Sequence, residues 1–200
     1  MSTGEGTARP FTILTVCTGN ICRSPLAAQL LRAQLADVPG VVVASAGTMA
    51  DDGAPMDVTA AVQSERLGGD PGDHRSRYLT ERIVADADLI LTAERAHRAA
   101  VVSLLPRASR RTFTILQFAR VLRGLEPADL EAVTDLASLV TTVAAARGMV
   151  PPPADPADDD VEDPYRRSPE VHERVADVLA EAVGTITTAI HSTTAGGSRA

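Results

Sequence analysis

Cys17 and Arg23 stand six positions apart in Cys17-Thr18-Gly19-Asn20-Ile21-Cys22-Arg23-Ser24-Pro25, between one apolar run and another. Phe11 to Val16 is β-branched and aromatic and predicts a buried strand, while Leu26 to Leu35 carries apolar residues at helical spacing. The residues between them therefore form a loop that opens a helix. Ser24 suits the N-cap and Pro25 the first helical position, where a missing N–H costs nothing. The amides of Thr18, Gly19, Asn20, Ile21, Cys22 and Ser24 then converge on the positive end of the helix dipole, which makes a site for an anion. Gly19 permits a tight turn, and Asn20 tolerates left-handed backbone.

At the start of such a loop, amide dipoles and the Arg23 guanidinium favour the thiolate of Cys17 over the thiol. Facing a bound dianion, a thiolate is a nucleophile aimed at phosphorus. Arg23 brings a planar fork of donors that matches phosphate oxygens and stabilises charge on a transferring group. The Ser24 hydroxyl has two readings: a helix cap alone, or a donor to sulfur that eases its departure.

The loop resembles the signature of the low-molecular-weight protein tyrosine phosphatases. Other pieces resemble the family in its order: Ser45-Ala46-Gly47-Thr48 after a second strand, Asp73-His74-Arg75-Ser76-Arg77, and Asp163-Pro164-Tyr165 before a final helix. Cys-x5-Arg alone is shared with other phosphatase folds and some sulfurtransferases, and the late Asp-Pro narrows the choice. The resemblance implies that Cys17 forms a phosphocysteine and that Arg23 holds the phosphoryl oxygens. It makes Asp163 the acid that protonates the leaving oxygen and then the base that activates water, with Asp160 the nearest competitor. Ser45 would hold the loop through hydrogen bonds with Asn20 and His74, the histidine being scaffold rather than base. Substrates would be a phosphotyrosine protein or a small aryl phosphate, with no cofactor and no metal.

Around the pocket, Tyr165 can stack on a phosphoryl-bearing ring, and Arg166 stands where many members have a second tyrosine. Met49 falls where eukaryotic members place an aromatic, and the following Asp51 and Asp52 should repel acidic substrates. The only cysteines are Cys17 and Cys22. Curled around a phosphate, the loop can bring the two sulfurs together as a disulfide that shields Cys17, or Cys22 is simply a small buried side chain. Thioredoxin-coupled arsenate reductases of the same fold need cysteines outside the loop, which this chain lacks. A non-catalytic phosphate receptor is the other alternative.

Composition bounds the class. Two hundred residues suit one domain with a sizeable core. No apolar run reaches the ~20 residues of a membrane helix, and Met1 to Pro10 does not read as a signal peptide, so a cytoplasmic protein is expected. All nineteen basic residues are arginine, which excludes a Walker-type loop and a lysine Schiff base. A formal charge of −7 with 2% aromatics argues against nucleic acid. Two cysteines without nearby histidines do not make a structural metal site.

Strand-like Phe11 to Val16, Val41 to Ala44, Ala87 to Leu91 and Thr112 to Leu116 alternate with helical segments. That pattern predicts an α/β fold of three layers, a four-stranded parallel sheet flanked by helices, with the phosphate-binding loop after the first strand. Arg95, His97 and Arg98 read as a solvated helix face. Residues 117–147 form a helical insertion, with Pro127 to Arg147 as one helix burying Leu130, Val133, Ala137, Val140 and Ala144 beside the core. Val150 to Asp163, with four prolines and six acids in fourteen residues, reads as a flexible linker. The phosphatase domain would run over 11–191, its last helix from Glu170 to Ile190 burying Val171, Val175, Val178, Ala182 and Ile186. Residues 1–10 and 192–200 read as loose tails.

Overall fold

The computed structural model describes residues 9–197. The parts of the expected tails at 1–8 and 198–200 lie outside the described residues. Strands β1 (Phe11–Cys17), β2 (Val41–Gly47), β3 (Leu89–Thr92) and β4 (Thr112–Thr114) form one sheet in the order β2-β1-β3-β4. Every pairing is parallel, so each connection is a crossover carrying helices. They are α1 (Arg23–Gln34), α2 (Val58–Arg66), α3 (Glu81–Asp86), α4 (Arg95–Leu104), α5 (Ile115–Arg123), α6 (Pro127–Glu131), α7 (Leu136–Ala146) and α8 (Pro169–Gly197).

The strands alternate between two apolar faces. Ile13, Leu89 and Leu91 point into a core shared with α1, α5, α7 and α8, while Leu14, Val16 and Ile90 meet Val84 of α3 and Val101 of α4. Burial on both faces gives the three expected layers and explains why the strands read as continuous apolar runs. No helix among the described residues is long and apolar enough to cross a membrane.

Four segments differ from the sequence reading. The stretch Pro127 to Arg147 is two helices, not one, because Asp135 accepts from Ser138 N and the Ser138 hydroxyl accepts from the Thr134 and Asp135 amides, a cap that breaks the helix. The buried face shifts with it to Leu139, Val140, Val143 and Ala146, leaving Leu130 exposed. The insertion does pack beside the core, where the Arg147 guanidinium lies 3.8 Å over the Phe113 ring. In α8, Val178 is exposed and Leu179 takes the core position, and the helix continues through Ser192 to Gly197.

Val150 to Asp163 is tied down at several points. Asp159 is buried and takes a two-pronged contact from Arg120, Nε at 3.0 Å and Nη2 at 2.8 Å. Asp160 accepts from the Arg95 amide at 2.7 Å and from Arg95 Nε at 3.1 Å. Val161 is buried and donates its amide to the Ala93 carbonyl at 2.8 Å. Composition alone misses this, because it does not reveal that the acids have arginine partners elsewhere in the chain. Asp159→Ala should lower stability by about 2 kcal/mol in urea unfolding, since it removes charged hydrogen bonds from a sheltered pair.

Candidate active site

Cys17 ends β1 opposite Gly47 of β2. Beyond it the chain rolls over the end of β2: Thr48 N donates to the Cys17 carbonyl and Met49 N to the Thr18 carbonyl, each at 2.9 Å. Gly47 is obligatory here, because a Cβ would stand 2.4 Å from the Thr18 carbonyl oxygen and 2.8 Å from the Asn20 nitrogen. Asn20 adopts φ 54°, the left-handed backbone that its type tolerates.

The helix begins two residues earlier than the sequence implied. Cys22 is its N-cap residue, without a side-chain cap, so Ser24 lies inside the first turn of α1. Arg23-Ser24-Pro25 all tolerate that turn, and Ser24 is thereby turned inward. Its Oγ lies 3.0 Å from Cys17 Sγ and accepts from Asn20 Nδ2 at 2.9 Å. The hydroxyl proton is left for sulfur, which is nearer than the Ala46 carbonyl at 3.4 Å. Of the two readings of Ser24, the geometry matches the sulfur contact and not the cap.

His74 donates Nε2–H to the Asn20 carbonyl at 2.7 Å, and burial pushes its imidazole below the ordinary histidine value. Ser45 is buried but, among the described residues, its hydroxyl bonds neither Asn20 nor His74. The support runs instead through Arg77, whose amide donates to Asn20 Oδ1 at 2.9 Å and whose guanidinium Nη2 donates to the Ser45 carbonyl at 2.9 Å.

Arg23 is 2% exposed, which only a set of acceptors makes tolerable. Nη1 donates to the Glu94 carboxylate and to the Val161 carbonyl, and Nη2 lies 3.2 Å from Asp163 Oδ1. Nε has no partner among the described residues. Asp163 accepts from the Tyr165 amide at 3.3 Å, a local turn that keeps its half-exposed carboxylate facing Arg23. Thus the segment expected to be loose delivers both an anchor for Arg23 and the Asp163 carboxylate.

A cavity of about 300 Å³ opens over the loop, lined by Cys17 through Gly19, Ile21 to Arg23, Met49, Asp51, Ala54, Asp163 and Tyr165. Arg166 does not line it. Its backbone takes φ 60°, and its guanidinium stands 5.0 Å over the Tyr165 ring, on the rim. The sequence reading did not assign site roles to Gly47, Glu94, His97 or Val161. His97 is a correction: far from a solvated face, it is 5% exposed, and Nε2 lies 2.8 Å from Thr18 Oγ1. The Glu94-x-x-His97 spacing, one helical turn, was the only available signal.

Both cysteines are buried free thiols. Burial, with Asp57 beside it, pushes the Cys22 thiol strongly up, which keeps it protonated at neutral pH. Iodoacetate at pH 7 is therefore expected to add one equivalent, on Cys17, with inorganic phosphate protecting; peptide mass mapping reads the site.

The model of a family described as low molecular weight phosphotyrosine protein phosphatase matches residues 12–131. Etp of Escherichia coli K12, a low molecular weight protein-tyrosine-phosphatase, is 42% identical over 106 residues, 53% of this chain and 70% of that protein. A protein-arginine-phosphatase of Geobacillus stearothermophilus is 39% identical over 109 residues, 54% of this chain and 72% of that protein. The crystal structure of the tyrosine phosphatase AmsI from Erwinia amylovora matches with a TM-score of 0.65 at 27% identity, covering 92% of this chain and 95% of that one. The sheet, the loop and these matches agree that the chain belongs to the low molecular weight phosphotyrosine protein phosphatase family.

Proposed function

We propose that the protein is a cysteine-dependent phosphomonoesterase acting on aryl phosphates, phosphotyrosine first among them. The observation that carries this reading is the convergence of Cys17, Arg23 and Asp163 on one cavity. The Cys17 thiolate attacks phosphorus in line, while the loop amides and Arg23 hold the three equatorial oxygens. Asp163 gives its proton to the leaving oxygen, and a phosphocysteine results. Asp163 then takes a proton from the attacking water, phosphate leaves, and the Ser24 hydroxyl stabilises the departing sulfur. Arg23 and the start of α1 supply the positive field, so the mechanism needs no metal. The placement of Cys17, Arg23 and Asp163 together on the cavity favours turnover over a receptor role.

Substrate class is read from the walls. Ile21, Met49 and Tyr165 offer apolar surface above the loop, which suits a phenyl ring. Asp51, a carboxylate on the same cavity, suits a guanidinium instead and favours phosphoarginine as the second reading. The test compares kcat/KM for a phosphotyrosine peptide and for the same peptide carrying phosphoarginine, with a chelator present. Preference for phosphotyrosine supports the aryl reading. Preference for phosphoarginine transfers the function to the second reading, and Asp51→Asn should then erode it.

A Cys17–Cys22 disulfide belongs to the same proposal as a protective state after peroxide. Its mark is activity regained on adding a thiol in the parent and lost irreversibly in Cys22→Ser.

A further inference from the structure

The start of α4 grips the site at three places. Glu94, its N-cap residue, binds Arg23; the Arg95 amide binds Asp160 in the segment that carries Asp163; and His97, one turn on, reaches Thr18. The first two contacts serve residues already given roles. The third serves the residue directly after the nucleophile, whose amide opens the phosphate cradle.

Among the described residues, His97 has no other polar engagement. Its Nδ1 is buried without a partner among the described residues. An unpaired ring nitrogen in the interior is costly, and a packed apolar side chain would fill the space without that cost. The charged groups that face the ring are Glu94, Arg23, Asp163 and Asp160. Burial outweighs the carboxylates and pushes the imidazole below its ordinary value, so it is neutral at pH 7 and bonds Thr18 as a neutral ring. Thr18 is then held on two sides, by its hydroxyl to His97 and by its carbonyl to the Met49 amide.

We propose that His97 is a positioning residue for phosphoryl transfer, fixing Thr18 through its Nε2–Oγ1 hydrogen bond and so aiming the first amide of the phosphate cradle. The inference rests on the phosphatase reading above. A preorganised donor works only if it is already in place when charge develops, which is what a neutral, buried partner supplies.

The test uses the full chain with His97→Ala, His97→Gln, Thr18→Val and the His97→Ala/Thr18→Val double variant. Glutamine keeps a hydrogen-bonding atom near the position of Nε2. The readouts are kcat/KM for p-nitrophenyl phosphate, calorimetric affinity for inorganic phosphate, and thermal unfolding. His97→Ala and Thr18→Val are each expected to lower kcat/KM about tenfold, with phosphate binding weakened in parallel. His97→Gln should recover to within about threefold, and the double variant should be no worse than the weaker single one.

Losses that multiply in the double variant would overturn the proposal, as would parental kcat/KM and phosphate affinity in His97→Ala. Should His97→Ala not fold, Thr18→Val decides, and an unimpaired Thr18→Val overturns the inference. Phosphate affinity reads the loop without turnover. A parent that binds phosphate but hydrolyses nothing would therefore defeat the phosphatase reading separately.

Discussion

Cys17→Ser is expected to lower hydrolysis of p-nitrophenyl phosphate by at least about 10⁴-fold, while phosphate affinity and the unfolding temperature stay near the parent's. The reason lies in the surroundings of Sγ. Its near polar neighbour is the Ser24 hydroxyl at 3.0 Å, which is no base for a serine proton. A hydroxyl at position 17 would have no base to activate it, whereas a thiolate needs none. The loop amides, His74, Arg77 and Gly47 are untouched by the substitution, so the anion cradle should persist. A Cys17→Ser protein that still turned over the ester would place the nucleophile elsewhere.

Asp163→Asn should lower kcat for a phosphotyrosine peptide by about 10²–10⁴-fold. With p-nitrophenyl phosphate, whose leaving group needs little protonation, the first step is spared and the second is not. Stopped-flow traces should then show a burst of nitrophenolate close to one per active site, followed by slow turnover. Asp160→Asn should leave turnover essentially unchanged, because Asp160 is engaged by the amide and Nε of Arg95 rather than by the cavity. Equal losses in the two variants would contradict the assignment of Asp163.

The loop was legible because its chemistry is local: a strand, a cysteine, an arginine and a helix start within nine residues. The sheet was legible because strands buried on both faces read as apolar runs. What the sequence hid depends on distant partners. Asp159 looks like a solvated acid until Arg120 is brought to it, and Val161 looks like one more linker residue until its carbonyl meets Arg23. Their polar side chains made Arg95, His97 and Arg98 read as a solvated face, but a helix packed over the loop can bury a polar residue wherever it finds a partner. Ser24 had two hydrogen-bonding options of similar merit by sequence, capping its own helix or facing the sulfur. Only the inward turn of α1 at Arg23 and the donor from Asn20 separate them. The single helix expected over 127–147 failed because the cap at Asp135 outweighs a run of good helix formers.

The account stands on a phosphoryl group passing through Cys17, and that species can be caught. Cys22→Ser/Asp163→Asn protein, mixed with p-nitrophenyl phosphate and quenched during the burst, should carry one phosphoryl group on the peptide that contains Cys17, by mass spectrometry. Removing Cys22 leaves a single thiol in the chain, so the site is unambiguous. Detection at Cys17, decaying at the rate of steady turnover, is the predicted result. Steady hydrolysis with an unmodified Cys17 peptide would contradict the account.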